Sequence, residues 1–115
     1  MTDHSVKSCQ VETTVKVIGG RWKLLILKEL FVRTLRFSEL QRAIPLVSQR
    51  MLTQQLRELE ADGIVNRKVY PQVPPKVEYS ITELGTSLSP ILGAMHEWGA
   101  MFIATRGEEA AQDSA

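Results

Sequence analysis

Little in this sequence suits catalysis or a membrane. One cysteine, Cys9, cannot close an intrachain disulfide or build a multi-thiolate zinc site, which points to a reducing compartment. The two histidines, His4 and His96, stand far apart without metal-pair spacing, so no metal or cofactor is expected. There is no glycine-rich phosphate loop, nucleophile elbow or metal-binding helix, and Gly19-Gly20 reads as a helix break. The chain is not expected to be an enzyme. Aromatic residues are scarce, and Trp22 and Trp98 read as core or interface anchors rather than cofactor stackers. The longest uninterrupted aliphatic run, Leu24 to Leu27, is far short of the roughly 20 apolar residues that cross a bilayer. Met1 to Lys7 lack the basic-then-apolar layout of a secretory leader, so the expected location is the cytoplasm, with no membrane partner.

What is present fits one globular domain. The chain has 115 residues, 43% of them hydrophobic, too apolar for a disordered chain. With 7 glycines and 5 prolines it is neither collagen-like nor of low complexity. Its formal net charge of +1 conceals a division. From Arg21 to Lys76 eleven basic residues outnumber five acidic ones, a net of +6, whereas residues 77–115 carry a net of −5. A basic middle invites a polyanion, provided a motif supports it; otherwise it is a set of solvated helix faces.

Hydrophobic spacing supplies the elements. A first helix is predicted from Gln10 to Ile18 and a second from Trp22 to Val32, the latter so apolar that it should be buried nearly all round. A short helix follows, with Ser38 and Gln41 as a capping box, Phe37 as a staple and Pro45 as the stop. Ser48 should cap a longer helix ending at Asp62 before Gly63, with Leu52, Leu56 and Leu59 on one face. Ile64 to Tyr70 and Lys76 to Ile81 read as strands joined by the proline-rich tip Pro71-Gln72-Val73-Pro74-Pro75. Thr82 should then cap a long helix towards Thr105, kinked at Pro90, with an apolar stripe through Leu84, Leu88, Ile91, Met95, Trp98 and Phe102.

Two helices joined by a short connector and followed by a basic hairpin predict a mainly α fold with a small β-hairpin, the winged helix-turn-helix. A helix that enters the major groove must offer side chains able to read base edges. Gln49, Arg50, Thr53, Gln54 and Arg57 form such a face, and no acid falls between Ser48 and Arg57. The earlier helix, with Arg36 and Arg42 near its ends, would brace the turn and touch the backbone, Ser38 and Ser48 are further expected DNA contacts, and Arg67, Lys68 and Lys76 of the wing would meet phosphates or the minor groove. The expected partner is double-stranded DNA. The C-terminal stripe is longer than one small domain can cover, so a second copy should bury it through Val11, Val15, Leu88, Ile91, Leu92, Met95, Trp98 and Phe102 of the N- and C-terminal helices. Such a homodimer would read a pseudo-palindromic operator with half-sites about one DNA turn apart.

Several segments also carry a family likeness: Cys9 to Thr14, Ile18-Gly19-Gly20-Arg21-Trp22-Lys23, Arg36 to Leu40, Ser48 to Leu59, Asp62-Gly63, Tyr70-Pro71 through Tyr79, and Leu84-Gly85. In these the chain resembles the HxlR-type bacterial transcription regulators from about Cys9 to Trp98. The resemblance implies a dimeric winged helix-turn-helix repressor or activator of MarR-like architecture. It also implies a cysteine at the place of Cys9, which some members use to sense oxidants or electrophiles such as quinones and aldehydes. The residues leave two readings open: a thiolate favoured just ahead of the first helix with Lys7 nearby, or an inert reduced thiol.

The expected layout is a flexible N-terminus over 1–8, the winged domain with its dimerisation helices over 9–106, and a disordered acidic tail over 107–115. The expected function is sequence-specific transcription regulation switched by thiol chemistry or a small-molecule effector. The alternatives are a DNA binder without redox control, constitutive or ligand-controlled, and a winged-helix protein-interaction module.

Overall fold

Helix α2 (Arg21–Val32) lies at the centre of the core. The computed structural model describes residues 4–114, with side chains over 9–107. Ile26, Leu27 and Leu30 of α2 pack with Leu40 of α3 (Phe37–Ala43) and with Leu52, Leu56 and Leu59 of α4 (Gln49–Ala61). These side chains are almost completely withdrawn from water, each contributing about 1.5–3 kcal/mol. Helix α2 is less enclosed than its composition predicts: Arg21, Lys28 and Val32 are exposed, while Lys23 is buried.

Helix α4 ends as its glycine requires. Gly63 adopts φ 76°, the Gly63 N–H donates to the Glu60 carbonyl at 3.0 Å, and the Ile64 N–H donates to the Leu59 carbonyl at 2.9 Å. This paired closure satisfies carbonyls that the helix end would leave bare.

The hairpin is present as β2 (Val65–Tyr70) and β3 (Lys76–Ile81), and a third strand, β1 (Leu35–Arg36), adds to it in the antiparallel order β1-β3-β2. The register sets Leu35 opposite Tyr79 and Arg36 opposite Glu78. Two residues carry no periodicity, so β1 leaves no hydrophobic pattern to read.

Four sequence-based boundaries shift. Helix α3 starts at Phe37, and its first turn is capped by Glu39, whose carboxylate accepts the Arg36 N–H at 2.8 Å; Ser38 lies within the turn and caps nothing. The long helix divides into α5 (Glu83–Thr86) and α6 (Ser89–Ser114). Pro90 is therefore the second residue of α6, ahead of the first helical bond from the Leu92 N–H to the Leu88 carbonyl. Its missing N–H would have had no partner there, so it starts the helix instead of kinking it.

Helix α1 (His4–Ile18) begins six residues before the predicted Gln10 and takes in part of the segment read as flexible; residues 1–3 and the side chains of 4–8 lie outside the described set. At the other end α6 continues to Ser114 through the segment read as a disordered tail, where Glu108, Glu109, Ala110, Ala111 and Gln112 are good helix formers. The radius of gyration, 17.8 Å against about 13 Å for a compact chain of this length, reflects helices standing off the body.

Candidate nucleic-acid interface

Ser48 starts the helix that carries the candidate face, its hydroxyl accepting the Met51 N–H at 3.0 Å. With Leu52, Leu56 and Leu59 fixed in the core, the helical period turns Gln49, Arg50, Gln54 and Arg57 outward. Thr53 is half-buried among them and returns its hydroxyl proton to the Gln49 carbonyl at 2.8 Å. Among the described residues, Arg50, Arg57 and Arg67 form no salt bridge. Their charges remain free for an external anion.

Glu58 borders this face, and its charge is compensated. The buried Lys23 Nζ lies 2.7 Å from Glu58 Oε1, and the Gln54 amide donates to Oε2 at 3.3 Å. Those hydrogen bonds, Lys23 first, hold the Glu58 carboxyl below its ordinary range, helped by attraction to Lys23 and opposed by desolvation. Lys23 also lies 3.5 Å from the Lys16 carbonyl at the end of α1. Neither Lys23 nor Glu58 is among the residues expected at this face from the sequence. A lysine inside the apolar run Trp22-Lys23-Leu24-Leu25, and the first acid one turn beyond Gln54, were the available signals.

The pleat divides the basic residues of the wing between two faces. Arg67 lies opposite the buried Tyr79 and shares with Thr53, Arg57 and Glu60 a cleft of about 310 Å³ between α4 and the sheet. Lys68 and Lys76 project from the other face, with Nζ 4.9 and 4.7 Å from the Tyr70 ring centroid. The Tyr70 hydroxyl donates to Glu78 at 2.8 Å, and Lys76 pairs with Glu78 at 3.4 Å. The Tyr70 bond is the main cause holding Glu78 below its ordinary range; Lys76 and Arg36 add to it, against desolvation. Arg36, Lys68 and Lys76 therefore form a group apart from α4. Ser38 and Ser48 are exposed.

Outside this face, α1 and α6 present apolar surface. Val11, Val15, Ile91, Met95, Trp98 and Phe102 are exposed, and Trp98 stacks on Phe102 with ring centroids 5.2 Å apart. Leu88, expected at the partner interface, is instead buried in its own core because it precedes α6 at the turn from α5, and Leu92 packs against that core. A groove of about 530 Å³ separates α2 from α6, lined by Leu24, Phe31, Leu92, Met95 and His96 among others.

Cys9 is exposed and unpaired. Because α1 starts at His4, Cys9 lies in its second turn and not ahead of it, beyond the terminal turn where amide dipoles favour a thiolate. Among the described residues no group of three His, Cys, Asp or Glu could hold a metal ion, and no helix is long and apolar enough to cross a membrane.

Comparison with known proteins places this geometry in a family. An HTH-type transcriptional regulator of Methanothermobacter thermautotrophicus is 57% identical over 94 residues, 82% of this chain and 72% of the relative. The solved structure of the redox regulator HypR in its reduced form superposes with a TM-score of 0.77 at 56% identity, covering 80% of this chain and 91% of that one. A MarR-family regulator structure from Enterococcus faecalis V583 superposes with a TM-score of 0.80 at 38% identity, covering 94% and 96%. The HxlR-like helix-turn-helix family matches residues 17–106, and the winged helix-turn-helix chain described here belongs to it.

Proposed function

We propose that the chain is a cytoplasmic, homodimeric transcription regulator that binds operator DNA sequence-specifically, with α4 in the major groove and the wing on the adjacent backbone. The observation that carries this reading is the outward face of α4, where Arg50 and Arg57 are unpaired beside Gln49 and Gln54, and the bordering Glu58 is neutralised by Lys23. Arginine reads guanine and glutamine reads adenine bidentately, so the face has donors and acceptors for both kinds of base pair. Arg67, across the cleft from Arg57, is placed for the phosphate strand bordering the groove. Arg36, Lys68 and Lys76 add positive charge on the other side of the wing. The second copy is supported by the exposed stripe on α6, and it would set two α4 helices against half-sites roughly 34–36 Å apart. Salt titration of binding to a random-sequence duplex tests the DNA role. Affinity should fall at least about a hundredfold between about 50 and 200 mM salt, because each neutralised phosphate releases counterions. Absence of salt-sensitive binding would refute it.

A thiol switch at Cys9 is favoured by that residue's exposure and by the likeness to a redox regulator. Two Cys9 thiols of a dimer would lose two protons and two electrons to an oxidant and form one disulfide, or one thiolate would add to a quinone. Cys9→Ser separates the switch from plain DNA binding: wild-type DNA affinity should respond to 1,4-benzoquinone or hydrogen peroxide and the variant should not. Equal responses would eliminate the switch.

A further inference from the structure

We propose that Glu58, anchored by the buried Lys23, is a positioning residue for sequence reading: it holds the Gln54 side-chain amide in the orientation that meets a base, without itself touching DNA. The inference rests on the DNA-binding reading above. Lys23 is 5% exposed, with a side chain enclosed by the body, and its ammonium lies 2.7 Å from Glu58 Oε1. That pair ties a surface carboxylate to α2, so Glu58 is fixed from beneath and not free to swing. Its second oxygen accepts one amide hydrogen from exposed Gln54 at 3.3 Å. The remaining Gln54 amide hydrogen and its carbonyl oxygen stay available, the two groups needed for a bidentate contact to adenine.

An unrestrained exposed glutamine must lose rotamer freedom when it binds; one already held loses less. Glu58 should therefore sharpen preference at one base position without strengthening attraction to phosphates in general, since its charge is matched by Lys23. That difference distinguishes positioning from simple structural support, which would strengthen both.

Sequence selection from a randomised duplex pool of about 30 base pairs tests this, with wild-type chain, Gln54→Ala, Glu58→Ala, Glu58→Ala/Gln54→Ala and Lys23→Met/Glu58→Ala. The last variant leaves no orphaned buried ammonium, so it stays informative where Glu58→Ala fails to fold. Gln54→Ala should flatten one position per half-site. Glu58→Ala and Lys23→Met/Glu58→Ala should weaken preference at that same position roughly threefold to tenfold, with non-specific affinity unchanged or tighter. The Glu58 effect should vanish in the Gln54→Ala background. Preference within twofold of wild type, equal weakening at every position, or a Gln54→Ala variant that flattens none would each overturn the proposal. A wild-type chain that selects no sequence would instead remove the DNA reading, and this inference with it.

Discussion

Trp98→Ala should break the proposed dimer while leaving the winged body folded. Trp98 is 59% exposed in the single chain, and its ring is stacked on Phe102 with an interplanar angle of 13°. A tryptophan buries about 150–250 Å² when covered, so on the order of 120 Å² per copy remains for a partner to remove from water. At about 25 cal/mol per Å² this amounts to about 3 kcal/mol per copy, and two-fold symmetry doubles it. The loss of translational freedom on association is common to wild type and variant and drops out of the comparison. If half of the area term is realised, the dimer loses about 3 kcal/mol, which is about a hundredfold in dissociation constant. Sedimentation equilibrium over a concentration series measures it directly. Circular dichroism at a concentration where both proteins are monomeric should show the same helix content, because Trp98 is exposed and lies outside the buried core cluster. A dissociation constant within threefold of wild type would refute the assignment of the α6 stripe to a second copy.

Arg50→Ala and Arg57→Ala should each weaken operator binding by about 1–3 kcal/mol if the side chain reads a base, relaxing preference at one position; a loss shared by all sequences would mark a phosphate contact instead. Gly85→Ala should lower stability by about 1–3 kcal/mol, since an added Cβ would sit 2.6 Å from Ile81 Cδ1 and crowd the Ile64 carbonyl. A melting temperature unchanged within a degree would show that the α5 turn yields instead. Acid should also destabilise the fold. Glu58 and Glu78 are held below their ordinary value of 4.5, so the unfolded chain binds protons first, and the stability these groups contribute is present above that pH and lost as pH falls through their folded values. Tyr70→Phe removes the main cause at Glu78. Its urea midpoint should therefore drop less than that of wild type between pH 6 and pH 3.5, and an equal drop would discount that hydrogen bond.

Where a pattern repeats along an element, the chain announced its structure in advance. Leu52, Leu56 and Leu59 recur at helical spacing, and the same spacing sends Gln49, Arg50, Gln54 and Arg57 to the opposite side, so the core and the candidate face of α4 were read together. Gly63 and Ser48 were legible because their roles depend on local geometry alone. Features set by distant partners were not. Strand β1 exists because Leu35 and Arg36 meet Tyr79 and Glu78 more than forty residues away. Lys23 looks misplaced until α4 brings Glu58 to it. Pro90 looks like a kink until the turn at Leu88 shows that the helix begins there. The division of Arg67 from Lys68 follows from the two-residue pleat, yet deciding which side faces α4 requires the register with Tyr79.

The same distinction explains why net charge is a poor guide to this surface. Within the basic middle of the chain, Glu39 is engaged by the Arg36 N–H and Glu58 by Lys23 and Gln54, so two of its five acids are occupied locally. Lys23, counted among its eleven basic residues, is buried in that pairing and adds nothing to the outer field. What an approaching phosphate meets is set by unpaired Arg50, Arg57 and Arg67, with Glu60 of α4 in the same cleft as the opposing charge. A near-neutral chain can thus present a locally cationic helix face, and its attraction for a polyanion depends on how its acids are paired more than on how many it has.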